Sequence, residues 1–155
     1  MAAKCRHNYE FDMSLTRIFC LIALLIAPCY SHALNIVSEN LELEFPGTFL
    51  AGTSQIATSN PEQTQIHVVR FYVEGDPGRR INVSVSNGQY LYHSTSSRSL
   101  KIGKVFYGCG LSVRGRATIS RSGKSDLLCI GAQVRINHND PAGIYSATIP
   151  FEVNY

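Results

Sequence analysis

The sequence has no tryptophan, and only 16% of its residues are charged. With a net charge of just +3, it lacks the basic excess of a nucleic-acid binder, and no nucleic-acid partner is expected. Beyond residue 33 no stretch keeps helical spacing of apolar residues for three turns, which excludes helical bundles and α/β layers. Catalytic signatures are missing too. There is no Gly-x-Ser-x-Gly and no Cys-x-x-Cys, and His67, His93 and His138 stand apart from one another rather than at metal-ligand spacing. Asp76 lies in a turn-forming stretch, and Ser120 to Gly123 reads only as a turn. No catalytic, metal or cofactor-binding residue is therefore expected, and the chain is not read as an enzyme.

The longest uncharged apolar run, Ile18 to Ala27, follows Arg17 and ends at Pro28, with Ser31 and Ala33 supplying small residues at −3 and −1. This is the layout of a secretory signal peptide cleaved after Ala33. The run falls short of the roughly 20 residues needed to cross a bilayer. Residues 1–33 are read as a leader, with Met13 an alternative start, and 34–155 as one domain with no membrane span. Cys29 raises lipidation as an alternative, which Pro28 directly before it fits poorly. The expected location is bacterial and exported: periplasm, cell surface or medium. Three of the five cysteines lie in the leader, leaving Cys109 and Cys129. In an exported chain such a pair is read as a disulfide, contributing about 3 kcal/mol through the unfolded chain; two separate buried thiols are the alternative.

What remains alternates. Tyr145, Ala147, Ile149, Phe151, Val153 and Tyr155 are apolar at period two, with polar or non-packing residues between them, predicting one half-buried strand over 145–155. Asn139 to Gly143 supplies the turn before it. Leu41, Leu43 and Phe45 predict an earlier strand. Gln65 to Glu74 predicts another, with a bulge near Val68-Val69 where the parity breaks. Arg80 to Ser86 alternates with Ile81, Val83 and Val85 on one face, and Asn87-Gly88 is a tight-turn signal. Tyr90 to Tyr92, Leu100 to Tyr107, a weaker stretch with Leu111, Val113, Ala117 and Ile119, and Leu127 to Ile136 follow. About seven to eight short strands with turns between them predict an all-β, antiparallel, immunoglobulin-like sandwich, with a closed barrel as runner-up.

Four stretches resemble a known family. Leu43-Glu44-Phe45 fits an opening strand, Val69 to Ser86 an element with Gly75, Pro77 and Gly78, and Asp126 to Ile136 an element with Gly131. Pro141 to Tyr155 fits a terminal signature with Gly143 and Tyr145. Together they resemble the bacterial exported domain-of-unknown-function family 4402, whose members are similar in layout to chaperone–usher pilin subunits and spore-coat-U-type domains. The resemblance implies a surface or fimbrial structural domain. Cys109, Cys129 and Pro150 depart from its pattern.

Pro150 lacks the N–H of a central strand, which places the terminal strand at an edge or a bulge. Pilins of the resembled kind leave such an edge open, and the expected partners are then a periplasmic chaperone or like subunits adding a strand along Tyr145 to Tyr155. Leu34 to Asn40 is a short, imperfect candidate for a donated strand. The alternative is a self-contained secreted adhesin or carbohydrate-binding module. Its ligand, a surface glycan, would meet the basic cluster Arg114, Arg116, Arg121 and Lys124, with Tyr90 and Tyr92 as a stacking platform. The competing readings are a solvated basic turn and ordinary cross-strand packing.

Overall fold

Alternation decides where the strands of this chain fall, and pairing decides which sheet each one joins. The structure, a computed structural model, describes residues 33–45, 49, 52–63 and 65–155. Met13 and Cys29, and with them nearly all of the segment read as a leader, lie outside the described residues. The strands are β1 (Asn35–Asn40), β2 (Gln55–Ser59), β3 (Val69–Glu74), β4 (Arg80–Val85), β5 (Tyr90–His93), β6 (Ser99–Cys109), β7 (Arg116–Thr118), β8 (Leu128–Ile136), β9 (Tyr145–Ser146) and β10 (Phe151–Asn154). All pairings between them are antiparallel. The larger sheet runs β1-β3-β8-β6-β5-β9, with β2 also on β8, and curls into a half-barrel; the smaller is β10-β4-β7. The antiparallel all-β sandwich read from the sequence is the fold that forms.

Two apolar clusters fill it. In the first, Phe71 and Val73 of β3 and Leu128 and Ile130 of β8 meet Ile81 and Val83 of β4. The rings of Phe71 and Phe151 lie 4.9 Å apart, bringing β10 over β3. The second cluster is built on Leu100, Ile102, Ala132 and Val134 of β6 and β8. It is covered by Leu43, Phe45, Tyr145 and Ile149 rather than by the small sheet. β4 shows how the pattern produces this: Ile81 and Val83 are both 1% exposed while Arg80 and Asn82 between and before them face solvent.

Several expectations are corrected. Residues 41–45 form no strand; the chain leaves β3 after β1 and crosses the sandwich, so that Leu43 and Phe45 cover the second cluster and Leu41 is left exposed. The parity break near Val68 is not a bulge: residues 65–68 bend, and β3 begins at Val69. Register irregularities fall instead between Ser38 and Asn40 and between Ile102 and Lys104. The weak stretch around Val113 holds only the three residues of β7, and Val113 is 82% exposed in the preceding turn. Gly115 makes that turn possible: its φ is +73°, and a methyl group there would strike the Val83 carbonyl.

The predicted single terminal strand is two strands in two sheets, and Ala147 between them is exposed rather than inward. Pro150, which has no N–H to give to a ladder, marks the crossing. Cys109 and Cys129 form the expected disulfide, with Cα atoms 5.4 Å apart. It joins neighbouring strands one step out of register, since Cys129 pairs with Gly108 and Cys109 with Leu128.

Candidate functional site

The C-terminal segment joins both sheets and borders each. β9 pairs with β5 through Tyr92–Ser146 and His93–Tyr145, and β10 pairs with β4 from Phe151–Val85 to Asn154–Asn82. Each ends its sheet, so among the described residues each has one strand neighbour. Tyr145 and Ile149 turn toward the second cluster, Phe151 and Val153 toward the first, and all four are half-buried. The Tyr155 hydroxyl accepts the Asp76 N–H at 2.8 Å, and the Arg79 guanidinium lies 4.7 Å from its ring centre.

The start of this segment is held by a histidine. His93 Nδ1 accepts from the backbone N–H groups of Thr95 and Ser96, each at 3.1 Å. That assigns the proton to Nε2, which donates to the Ala142 carbonyl at 3.1 Å. The imidazole also meets the Tyr145 ring edge-on at 4.9 Å. The bare Cα of Gly143 touches the His93 ring, and a methyl group there would overlap it. Tyr145 donates its hydroxyl to the Pro141 carbonyl at 2.9 Å. Burial pushes the phenol above its ordinary range; Asp140 adds to the rise and Arg98 opposes it.

The other motif positions are also points of close approach. A methyl group on Gly131 would strike the Ser59 carbonyl where β2 crosses β8, and one on Gly75 would lie 2.6 Å from the Tyr155 hydroxyl and 2.9 Å from Leu34 Cδ2. Pro77 and Gly78 form the exposed turn before β4, and Phe45 packs on the second cluster. These residues let chain segments meet. Among the described residues no three His, Cys, Asp or Glu side chains could hold a metal ion. His67 is paired with Glu44 at 2.9 Å.

The predicted ligand residues fall on separate elements. Tyr90 and Tyr92 are exposed on β5 of the larger sheet, while Arg116 lies on β7, the edge of the smaller one. Arg114 is in the turn before β7 and Arg121 in the turn after it. Lys124 sits over the Tyr72 ring, 4.1 Å from its centre. Tyr90 instead lines a shallow depression of about 320 Å3 with Ser99, Lys101, Gly103, Arg135 and Asn137. Sequence reading missed Lys101 and Arg135. Their signal was present in the alternation, since each stands between inward apolar residues, but only the β6–β8 register joins them.

No curated protein and no solved structure matches this chain. One family model does match, over residues 39–155, which spans β2 to β10 and every motif glycine discussed above. The close contacts at Gly75, Gly131 and Gly143 therefore fall inside a match that covers most of the sequence, and the chain belongs to the domain-of-unknown-function family DUF4402.

Proposed function

We propose that the protein is an exported bacterial structural or fimbrial-type surface subunit that works by strand addition at a sheet edge and carries out no chemistry. The observation behind this reading is β10. It pairs on one side with β4, its Phe151 and Val153 are only half-buried over the first cluster, and among the described residues no strand lies on its other side. An edge strand of this kind is a template for a further strand. β1, the segment considered for donation, pairs with β3 of its own chain from Asn35–Glu74 to Asn40–Arg70. The subunit in this reading receives a strand, from a periplasmic chaperone or a like subunit, and keeps its own. Light scattering after size exclusion, followed by a thermal melt of the oxidised protein, tests it. Polymers, or an unstable monomer rescued by an alternating hydrophobic peptide, are expected. A monomer that melts cooperatively and reversibly, and ignores the peptide, would remove the reading.

A second reading, a self-contained secreted adhesin or carbohydrate-binding module, is favoured by a different observation. Tyr90 and Tyr92 are 39% and 61% exposed on one strand, and Tyr90 borders the depression that holds Lys101 and Arg135. Saturable glycan binding by a stable monomer would support it.

A further inference from the structure

We propose that the outer face of the larger sheet binds a carboxylate-bearing polysaccharide, through a row formed by Tyr90, Lys101, Arg135 and Ile56. This rests on the adhesin reading and gives it a ligand class.

The row follows from register. Tyr90 pairs with Lys101 across β5–β6, and Arg135 pairs with Ile56 across β8–β2. The β6–β8 pairing ends at Ile102–Val134, and Lys101 and Arg135, the next residue beyond it on each strand, line one depression. Ile102 and Val134 are buried, which turns Lys101 and Arg135 to the outer face, and both are exposed. Four side chains from four adjacent strands thus form a line of roughly 14 Å at ordinary strand spacing.

Two cations lining one depression on a sheet face repel each other. Nothing nearby relieves them: among the described residues neither Lys101 nor Arg135 has an ion-pair partner. The Asp140 carboxylate is occupied by the backbone N–H of Asn137 at 2.7 Å and its Nδ2 at 3.3 Å. An anionic ligand would remove the repulsion. Beside the cations the floor is open, because Gly103 has no side chain and a methyl there would meet only the Gln133 carbonyl, at 3.7 Å.

The surrounding groups select the kind of anion. Arg135 offers a planar fork that fits a carboxylate, and Lys101 a second positive charge. The exposed Tyr90 ring gives an apolar face for a sugar ring, and Ser99 and Asn137 at the rim can bond hydroxyls. A neutral sugar would leave the cation pair as it is. A small inorganic anion would make no use of Tyr90. A uronate residue satisfies both, and a line across four strands with no enclosing wall suits a polymer laid over the face.

Calorimetric titration of the oxidised protein with hexameric oligogalacturonate and a hyaluronan hexamer tests the site. Their methyl-esterified forms and a DNA oligonucleotide of equal charge serve as comparisons. At least one of the acidic sugars is expected to bind. Its affinity should fall about tenfold or more in Lys101→Ala and Arg135→Ala, the scale of one lost charge-assisted hydrogen bond, and should also fall in Tyr90→Ala through the lost stacking face. Those variants should keep the parent melting temperature, Arg135→Lys should retain part of the binding, and Arg116→Ala and Arg121→Ala should retain all of it. Equal affinity for the esterified sugars would overturn the acidic specificity while leaving glycan binding standing. Acid binding that ignores all three substitutions, or DNA binding with the same residue dependence, would overturn the site. Binding of none of the probes would overturn both the site and the adhesin reading beneath it.

Discussion

Gly131→Ala is expected to destabilise the fold strongly, and Gly103→Ala is expected not to. Both glycines lie on neighbouring strands of the larger sheet, β8 and β6. A methyl group on Gly131 would overlap the Ser59 carbonyl and lie 2.8 Å from Pro61 Cδ. The carbonyl is backbone, so it cannot swing aside without moving β2, whose Ala57 and Ser59 are 3% and 0% exposed. Overpacking of this kind costs roughly 1–3 kcal/mol, and a backbone obstacle places it near the upper figure. For a domain of this size about 3 kcal/mol lowers the melting temperature by roughly 10 °C. At Gly103 the added methyl is in ordinary contact and the backbone φ is not positive. Reduced freedom of the unfolded chain then favours alanine by about 0.5 kcal/mol. Thermal and urea melts of the two variants, with amide spectra to show which strands shift, give the comparison. If Gly131→Ala melts with the parent, or Gly103→Ala costs more than Gly131→Ala, the packing of β2 across β8 described here is wrong.

Two further outcomes follow from local features. Reducing the Cys109–Cys129 disulfide, which closes a loop of sequence separation 20, should lower stability by about 3 kcal/mol in the chain-entropy account. The β6–β8 ladder should persist, which a lower urea midpoint with an unchanged amide pattern would verify. The Tyr145 phenol is held above its ordinary value of 10.0 in the folded chain, so above that value the unfolded chain ionises first. Its contribution is whole below about pH 10 and is lost as pH rises through the folded value. Melting temperatures against pH should fall less steeply on the alkaline side in Tyr145→Phe.

The fold was legible wherever one strand keeps one face. Ile81 and Val83, or Leu100 and Ile102, stand at period two and are buried together, so their strands could be read directly. The disulfide was legible because only Cys109 and Cys129 lie beyond residue 33. The C-terminal segment deceived for the same reason that β4 did not. Its alternation runs from Tyr145 to Tyr155 without a break, yet period two carries no record of which sheet a strand joins, and the chain changes sheets near Pro150. Leu43 and Phe45 pack inward without a ladder, so their alternation was true of the core and false of the strand. The candidate sites divide in the same way. The motif glycines could be found from sequence, but what each one touches could not. Lys101 and Arg135 come to one depression only because β6 lies beside β8, and a cluster chosen by closeness in sequence, such as Arg114 to Lys124, could not have found them.

The segment that crosses between the sheets also sets an order of events. A chain is made from its N-terminal end, and β9 and β10 leave the ribosome after every strand they join. Until they arrive, β5 lacks its outer neighbour, β4 lacks one of its two, and the covers supplied by Ile149 and Phe151 are missing from the two clusters. Contacts closed over such long separations form slowly, and exposed strand edges are vulnerable while they wait. The nascent protein therefore passes through an interval in which most of its sheet is built and two of its borders are bare. How that interval is spent, and what holds the bare borders during it, governs the yield of folded protein.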